Sequence, residues 1–167
     1  MLETFYIQSP VGLLELVISN HGLKSITFRT EGVQNESAYI SEQAKPYKDQ
    51  IDEYFRGERK SFNVPLDLSD LPPFHREVLK MVYTIPYGKT RSYKQIACVL
   101  GNPKAARAVG QANGKNPIPI IIPCHRVIGN SGELTGYAYG TEIKMKLLEL
   151  ENPQIYVPQI ELFESLV

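Results

Sequence analysis

Residues 116–122 read Asn-Pro-Ile-Pro-Ile-Ile-Ile, and two prolines one residue apart forbid a helix over a stretch whose isoleucines must be covered. Whatever fold the chain adopts has to wrap a core around a stiff, buried approach. That approach delivers Pro123-Cys124-His125-Arg126-Val127, a thiol beside an imidazole. A thiolate is intrinsically nucleophilic, and a neighbouring imidazole network can increase its population. The dipeptide alone leaves structural and metal-binding readings of Cys124 open beside the catalytic one.

A chain of 167 residues that is 43% hydrophobic can hold one ordinary domain or two small ones around a packed core. No window approaches the ~20 apolar residues of a membrane span, and Met1-Leu2-Glu3-Thr4 lacks the basic and apolar regions of a signal peptide. A soluble cytoplasmic monomer with no membrane partner is expected. Cys98 and Cys124 lack any secreted framework, so both thiols are expected to be reduced and Cys124 free to react. Together with His21, His75 and His125 they show no C-x2-C or H-x3-H spacing, so no metal site is expected.

A formal net charge of zero argues on its face against a nucleic-acid partner, but the distribution of charge points the other way. All 18 acidic residues lie outside Val78 to Gly132, and that stretch holds Lys80, Lys89, Arg91, Lys94, Lys104, Arg107, Lys115 and Arg126. It therefore carries +8 and the remainder −8. An acid-free basic segment of this length suits a polyanion, the bland alternative being a solvated face that pairs with the acidic half.

The first third reads as a small sheet, with β-rich runs Thr4 to Ile7, Leu13 to Ile18 and Leu23 to Phe28 divided by Gly12 and the Asn20-His21-Gly22 turn. Glu36 to Ala44 and Pro46 to Arg56 read as helices, and Phe62 to Leu66 as an extended piece. Val64 to Pro73 has the proline and aspartate content of a linker, which predicts two domains, residues 1–70 and 71–167. Beyond it, Phe74 to Tyr83 is expected to be a helix with Phe74, Val78, Leu79 and Val82 on one stripe.

Ser92 can cap a helix whose apolar stripe is Tyr93, Ile96, Ala97 and Leu100, after which Gly101-Asn102-Pro103 forces a turn. A second helix starts near Lys104 and stops at Gly114, making a helix-turn-helix. Its surface is nearly smooth, with Ala105, Ala106, Ala108, Gly110 and Ala112 interrupted by one long cation, Arg107. Such a helix can approach a DNA groove closely and use Arg107 as a wedge, or it can pack tightly within the protein.

A thiol beside a DNA-binding helix narrows the chemistry to reaction on a nucleic acid, and here the sequence resembles a known family. Pro123-Cys124-His125-Arg126-Val127 is similar to the active-site motif of the methylated-DNA–protein-cysteine methyltransferases, which repair O6-alkylguanine. The likeness runs through Ile85-Pro-Tyr-Gly-Lys-Thr, Ser92-Tyr-Lys-Gln-Ile-Ala, Gly101-Asn-Pro-Lys-Ala-Ala-Arg-Ala-Val-Gly, Asn116-Pro-Ile-Pro-Ile, Gly136-Tyr137 and Leu147-Leu148-Glu149-Leu150-Glu151. It covers most of residues 74–151 and only loosely the N-terminal half, through Ser9-Pro10-Val11-Gly12-Leu13-Leu14. The fold it implies is α+β, a small ribonuclease-H-like N-terminal α/β domain followed by a winged helix-turn-helix-like domain that carries the cysteine.

The resemblance also implies roles. Cys124 would accept the alkyl group in one irreversible transfer, without cofactor or metal. His125 would reach Cys124 through a water and be oriented by Glu151. Tyr93 would donate a proton toward guanine N3 as well as pack at the head of its helix, and Asn116 would fix the hinge between the recognition helix and an active-site strand. Arg107 would fill the space left by an extruded nucleotide, with Ala106, Gly110 and Tyr93 against the DNA. Tyr137 and Ala138 match the loop that receives the base, and Tyr139 stands where a small residue is usual, which bears on pocket width. The implied partner is double-stranded DNA containing O6-alkylguanine, with O4-alkylthymine a second candidate substrate. A lesion-binding relative that does not react, or a helix-turn-helix regulator with Cys124 as sensor, are the alternatives. The N-terminal half is expected to be scaffolding, and the tail after Glu151 gives no chemical signal.

Overall fold

The computed structural model describes residues 1–32, 35–134 and 137–156. Strands β1 (Glu3–Ser9), β2 (Gly12–Ser19) and β3 (Gly22–Arg29) form an antiparallel sheet in the order β1-β2-β3. Ser9 pairs with Gly12 and Ser19 with Gly22, so both connections are tight hairpins. Phe5, Ile7, Leu14, Leu16, Ile18, Leu23 and Ile26 are buried, largely in the period-2 alternation of a sheet with one covered face.

The Pro-rich stretch that reads as a linker is tied to this sheet. Leu23 N donates to Pro65 O at 3.0 Å, and Asp67 N donates to Leu23 O at 2.8 Å. Glycine at 22 permits it: with φ at 140°, a Cβ there would lie 2.6 Å from the Pro65 carbonyl oxygen. The Ser19 hydroxyl then donates to Asp67 at 2.6 Å.

Glu36 to Ala44, expected as a helix, is not one. Ser37 exchanges two hydrogen bonds with Tyr6, its hydroxyl accepting from Tyr6 N and its own N–H donating to Tyr6 O. The Ser41 hydroxyl donates to Glu3 at 2.7 Å and accepts from Ala44 N at 3.1 Å. Side chains that compete for the backbone in this way favour turns over helix, and the segment runs along the open edge of β1 into α1 (Lys45–Phe55). Helix α1 buries Tyr47, Ile51 and Tyr54, one stripe at i, i+4, i+7.

Helix α2 (Pro73–Tyr83) buries Val78, Leu79 and Val82. Phe74, expected on the same stripe, lies in the first turn and stays exposed. The two-residue strand β4 (Arg91–Ser92) pairs in parallel with β5 (Val127–Ile128) and leads directly into α3 (Tyr93–Val99). A reciprocal cap starts that helix: Gln95 N donates to the Ser92 hydroxyl at 3.1 Å, and Ser92 N donates to Gln95 Oε1 at 2.8 Å. Gly101 and a 3-10 turn over Pro103–Ala105 reverse the chain into α4 (Ala106–Gly114), so α3 and α4 form the helix-turn-helix and both pack on α2.

Helix α5 (Thr141–Glu151) closes the structure, with Lys144, Leu147, Leu148 and Glu151 buried. One hydrophobic core runs from Phe5 of β1 through Val109 of α4 to Leu147 of α5. The two halves are thus joined by packing as well as by chain. Among the described residues no helix is long and apolar enough to cross a membrane, and no group of three His, Cys, Asp or Glu side chains could hold a metal ion.

Candidate active site

The approach to Cys124 is not a strand. Residues 116–122 fold into consecutive turns, in which Ile122 N donates to Ile118 O at 3.0 Å and Ile120 takes a φ of 74°. A β-branched residue in that region is strained, at about 1–3 kcal/mol, and burial on all sides holds it there: Ile118, Ile120, Ile121 and Ile122 are each at most 2% exposed. Asn116 staples the turn, its Nδ2 donating to Ile122 O at 2.8 Å and its Oδ1 accepting from Ile118 N at 2.9 Å. Cys124, His125 and Arg126 then form a single 3-10 turn rather than the strand expected. Proline spacing and the need to turn back toward α4 explain the difference, since a strand would leave Asn116 too far from Ile122 to bond it.

Cys124 is 3% exposed. Burial pushes its thiol up to about 11, against weaker opposing pulls from the Asn116 amide and the Lys144 ammonium. At neutral pH the thiol therefore holds its proton, so the site needs a route for that proton.

His125 is fully buried, and its Nε2 lies 2.7 Å from Glu151 Oε1 at the end of α5. Burial lowers the imidazole below its ordinary range, and Glu151 only partly offsets this, so the ring is neutral near pH 7. For the Glu151 carboxyl, burial would raise it, but His125 and Arg126 outweigh the burial and hold it at about 2. An ionised Glu151 can only accept, so Nε2 carries the ring proton and Nδ1 is bare and basic. Nδ1 is buried with no protein partner among the described residues.

Three residues around His125 and Glu151 escape sequence reasoning. Arg126, counted there with the basic face, is 5% exposed and points inward: Nε and Nη2 donate to the two Glu151 oxygens at 2.9 and 2.8 Å, and Nη1 donates to Ile85 O at 2.6 Å. The outward cations are therefore Lys80, Lys89, Arg91, Lys94, Lys104, Arg107 and Lys115. Tyr54 of α1 donates its hydroxyl to Glu151 Oε1 at 2.8 Å. Lys144 is fully buried, donates to Val127 O at 2.7 Å, and is lowered by burial to about 8. A signal for Lys144 exists, because Lys144, Leu147, Leu148 and Glu151 share the i, i+3, i+4, i+7 stripe.

Gly88, with a φ of 76°, turns the Ile85-Pro86-Tyr87 loop so that its N–H meets Glu151 Oε2 at 3.3 Å. Asn113 of α4 adds a bond from Nδ2 to Cys124 O at 3.3 Å, linking the recognition helix to the thiol's own backbone.

Tyr93 is half-buried between α4 and Cys124. Its phenol is raised by burial and by the charge of the neighbouring thiolate, and its ring would lie 3.6 Å from a Cβ added at Gly110. That is ordinary contact, so internal packing does not demand glycine at 110. Arg107 is exposed and Ala106 half-buried on the adjoining face.

Tyr137 is buried with its phenol against the Cys124 sulfur, and burial raises it strongly. Ala138 is exposed. Tyr139 is half-buried, its ring 4.4 Å from Phe28 of β3 and 5.8 Å from Tyr137, and its hydroxyl donates to Ile26 O at 3.4 Å. Gly136 and the tail from residue 157 on lie outside the described residues.

The sequence profile of the 6-O-methylguanine DNA methyltransferase ribonuclease-like domain matches residues 1–68, and that of the 6-O-methylguanine DNA methyltransferase DNA binding domain matches residues 73–153. A methylated-DNA–protein-cysteine methyltransferase of Mycobacterium tuberculosis is 48% identical over 159 residues, covering 90% of this chain and 93% of the relative. One from Methanosarcina acetivorans is 45% identical, covering 86% and 94%. The crystal structure of the M. tuberculosis O6-methylguanine methyltransferase superposes with a TM-score of 0.79 at 42% identity, covering 98% of this chain and 99% of that one. The M. tuberculosis protein in complex with DNA gives 0.76 at 46% identity, covering 89% and 91%. With both halves matched in order and identity close to one half over nearly the whole length, the chain belongs to the methylated-DNA–protein-cysteine methyltransferase family.

Proposed function

We propose that this protein repairs O6-alkylguanine in double-stranded DNA by moving the alkyl group, once and irreversibly, onto Cys124. The observation that carries the reading is a buried thiol on a 3-10 turn, one residue from a neutral imidazole whose bare Nδ1 is fixed by the Nε2 bond to Glu151. The thiol proton passes through a water to Nδ1, and Glu151 stabilises the imidazolium. Sγ attacks the alkyl carbon, the carbon–O6 bond breaks, and the electron pair moves into the guanine. Tyr93 supplies a proton to N3 of the leaving base, while Asn116 holds the turn that aims Sγ. The thioether has no second nucleophile to remove it, so each chain acts once. Methyl transfer from O6-methylguanine DNA, followed by intact mass, tests the whole reading.

Because Cys124 is 3% exposed, a stacked base cannot reach it and must be turned out of the duplex. The outward cations and the small face of α4 support binding along a phosphate backbone, and a relative solved with DNA shares 46% identity. Arg107 occupies the gap as the wedge, beside Ala106 and Gly110. Arg107→Ala is expected to slow transfer from duplex DNA roughly ten- to a hundredfold while leaving transfer from the free base unchanged; equal losses in a single-turnover assay on the two substrates would remove the wedge role.

Tyr137 and Ala138 line the base pocket, and Tyr139, braced on Phe28, narrows it. Tyr139→Gly is expected to raise benzyl transfer relative to methyl transfer by about tenfold, and an unchanged benzyl-to-methyl rate ratio would show that Tyr139 does not set the width. The reaction requires a reduced thiol, which fits a reducing compartment such as the cytoplasm.

A further inference from the structure

The N-terminal half, expected to be scaffold, sends one polar group into the relay. Tyr54 of α1 is fully buried, 97 residues from Glu151 in sequence. Its ring is clamped by Phe55, Phe62 and Tyr87 at centroid distances of 5.1, 5.5 and 6.2 Å. Its hydroxyl donates to Glu151 Oε1, the same oxygen that accepts from His125 Nε2 at 2.7 Å and from Arg126 Nη2 at 2.8 Å. A phenol kept neutral by burial and by the adjacent carboxylate can act there only as a donor.

We propose that Tyr54 is a positioning residue of the alkyl-transfer relay: its hydroxyl draws charge from Glu151 Oε1 and so sets how readily His125 takes the thiol proton. The inference rests on the alkyl-transfer reading and adds a member to it from the other half of the chain. Charge withdrawn by Tyr54 is charge unavailable to the imidazolium, and removing the hydroxyl makes Glu151 a stronger partner for a protonated His125. The other charged or titratable groups around the pair are Arg126 and Cys124 on the 3-10 turn, Lys144 on α5, and Tyr87, over whose ring lie Lys60 and Arg126 at 5.7 Å. All of these side chains are retained when the hydroxyl alone is removed.

The test is single-turnover methyl transfer by the full chain from about pH 5 to about pH 9, for the wild type, for Tyr54→Phe, and for a chain with tyrosine fluorinated beside the hydroxyl at position 54. Tyr54→Phe is expected to move the acid limb of the rate profile upward by about half a pH unit or more, and the fluorinated chain, a stronger donor of nearly the same shape, to move it downward. Limbs that coincide with the wild type, or rates scaled by one factor at every pH, mean that Tyr54 only packs and overturn the inference. Should Tyr54→Phe not fold, the fluorinated chain carries the same test. A wild type that takes up no methyl removes the alkyl-transfer reading and this inference with it, whereas a reactive wild type beside unshifted variants removes the inference alone.

Discussion

Cys124→Ala is expected to abolish methyl transfer from O6-methylguanine DNA, while the wild type is expected to gain the mass of one methyl per chain and then stop. The expectation follows from Cys124 being the buried thiol next to His125, among the described residues. The other cysteine, Cys98, is exposed on α3, whereas His125 is fully buried, so Cys98→Ser is expected to react as the wild type does. Peptide mapping after the reaction checks both statements. A methyl found on Cys98, or modification that survives Cys124→Ala, would sink the mechanism. The same assay separates repair from the competing functions: a lesion-binding protein that does not react, or a regulator whose cysteine answers to other reagents, leaves the methyl on guanine and stays unmodified after complete mixing with substrate.

The thiol's high proton affinity fits a reagent that must keep. With burial holding Cys124 near 11, stray electrophiles meet a protonated sulfur that is 3% exposed. On the proposed mechanism the proton leaves when a bound base brings the alkyl carbon to Sγ, passing through a water to His125 while Glu151 stabilises the imidazolium. Low resting reactivity and a preset proton route are compatible because the relay is assembled from side chains that the fold, not the substrate, holds in place.

How much of this the sequence discloses depends on how local each feature is. The helix-turn-helix is legible because Ser92, Gln95, Gly101 and Pro103 are punctuation that acts within a few residues. The sheet is legible from alternation and two tight turns. Glu36 to Ala44 misreads as helix because the bonds that decide it run to Tyr6 and Glu3, some thirty or more positions away. Arg126 misreads as surface charge for the same kind of reason: its partner Glu151 is 25 positions on, and nothing local distinguishes it from Arg107. Tyr54 is on a legible buried stripe, yet the stripe says only that it is covered, not that its hydroxyl meets a carboxylate. Composition and motif therefore find the nucleophile and its imidazole, and three-dimensional closure adds the groups that tune them.

Glu151→Gln tests that tuning most severely, since one carboxylate accepts from Tyr54, His125, Arg126 and Gly88. The amide keeps the shape but leaves Arg126 buried without a counter-charge, a loss of about 3–5 kcal/mol, which for a chain of this size lowers Tm by on the order of 10 °C. The imidazolium also loses its stabilising charge, so methyl transfer is expected to fall by about 10²–10⁴-fold at neutral pH. The two effects separate with pH. In the wild type the folded-state carboxyl, at about 2, lies below its unfolded value of 4.5, so its stabilisation is present above 4.5 and is lost as the pH falls through about 2. Thermal melts should accordingly show the gap between wild type and variant wide at neutral pH and narrowing below about 4.5. A gap that stays constant down to about pH 2, or a variant that transfers methyl at the wild-type rate, would mean that Glu151 serves only as a packed polar group and that the proton leaves Cys124 by another path.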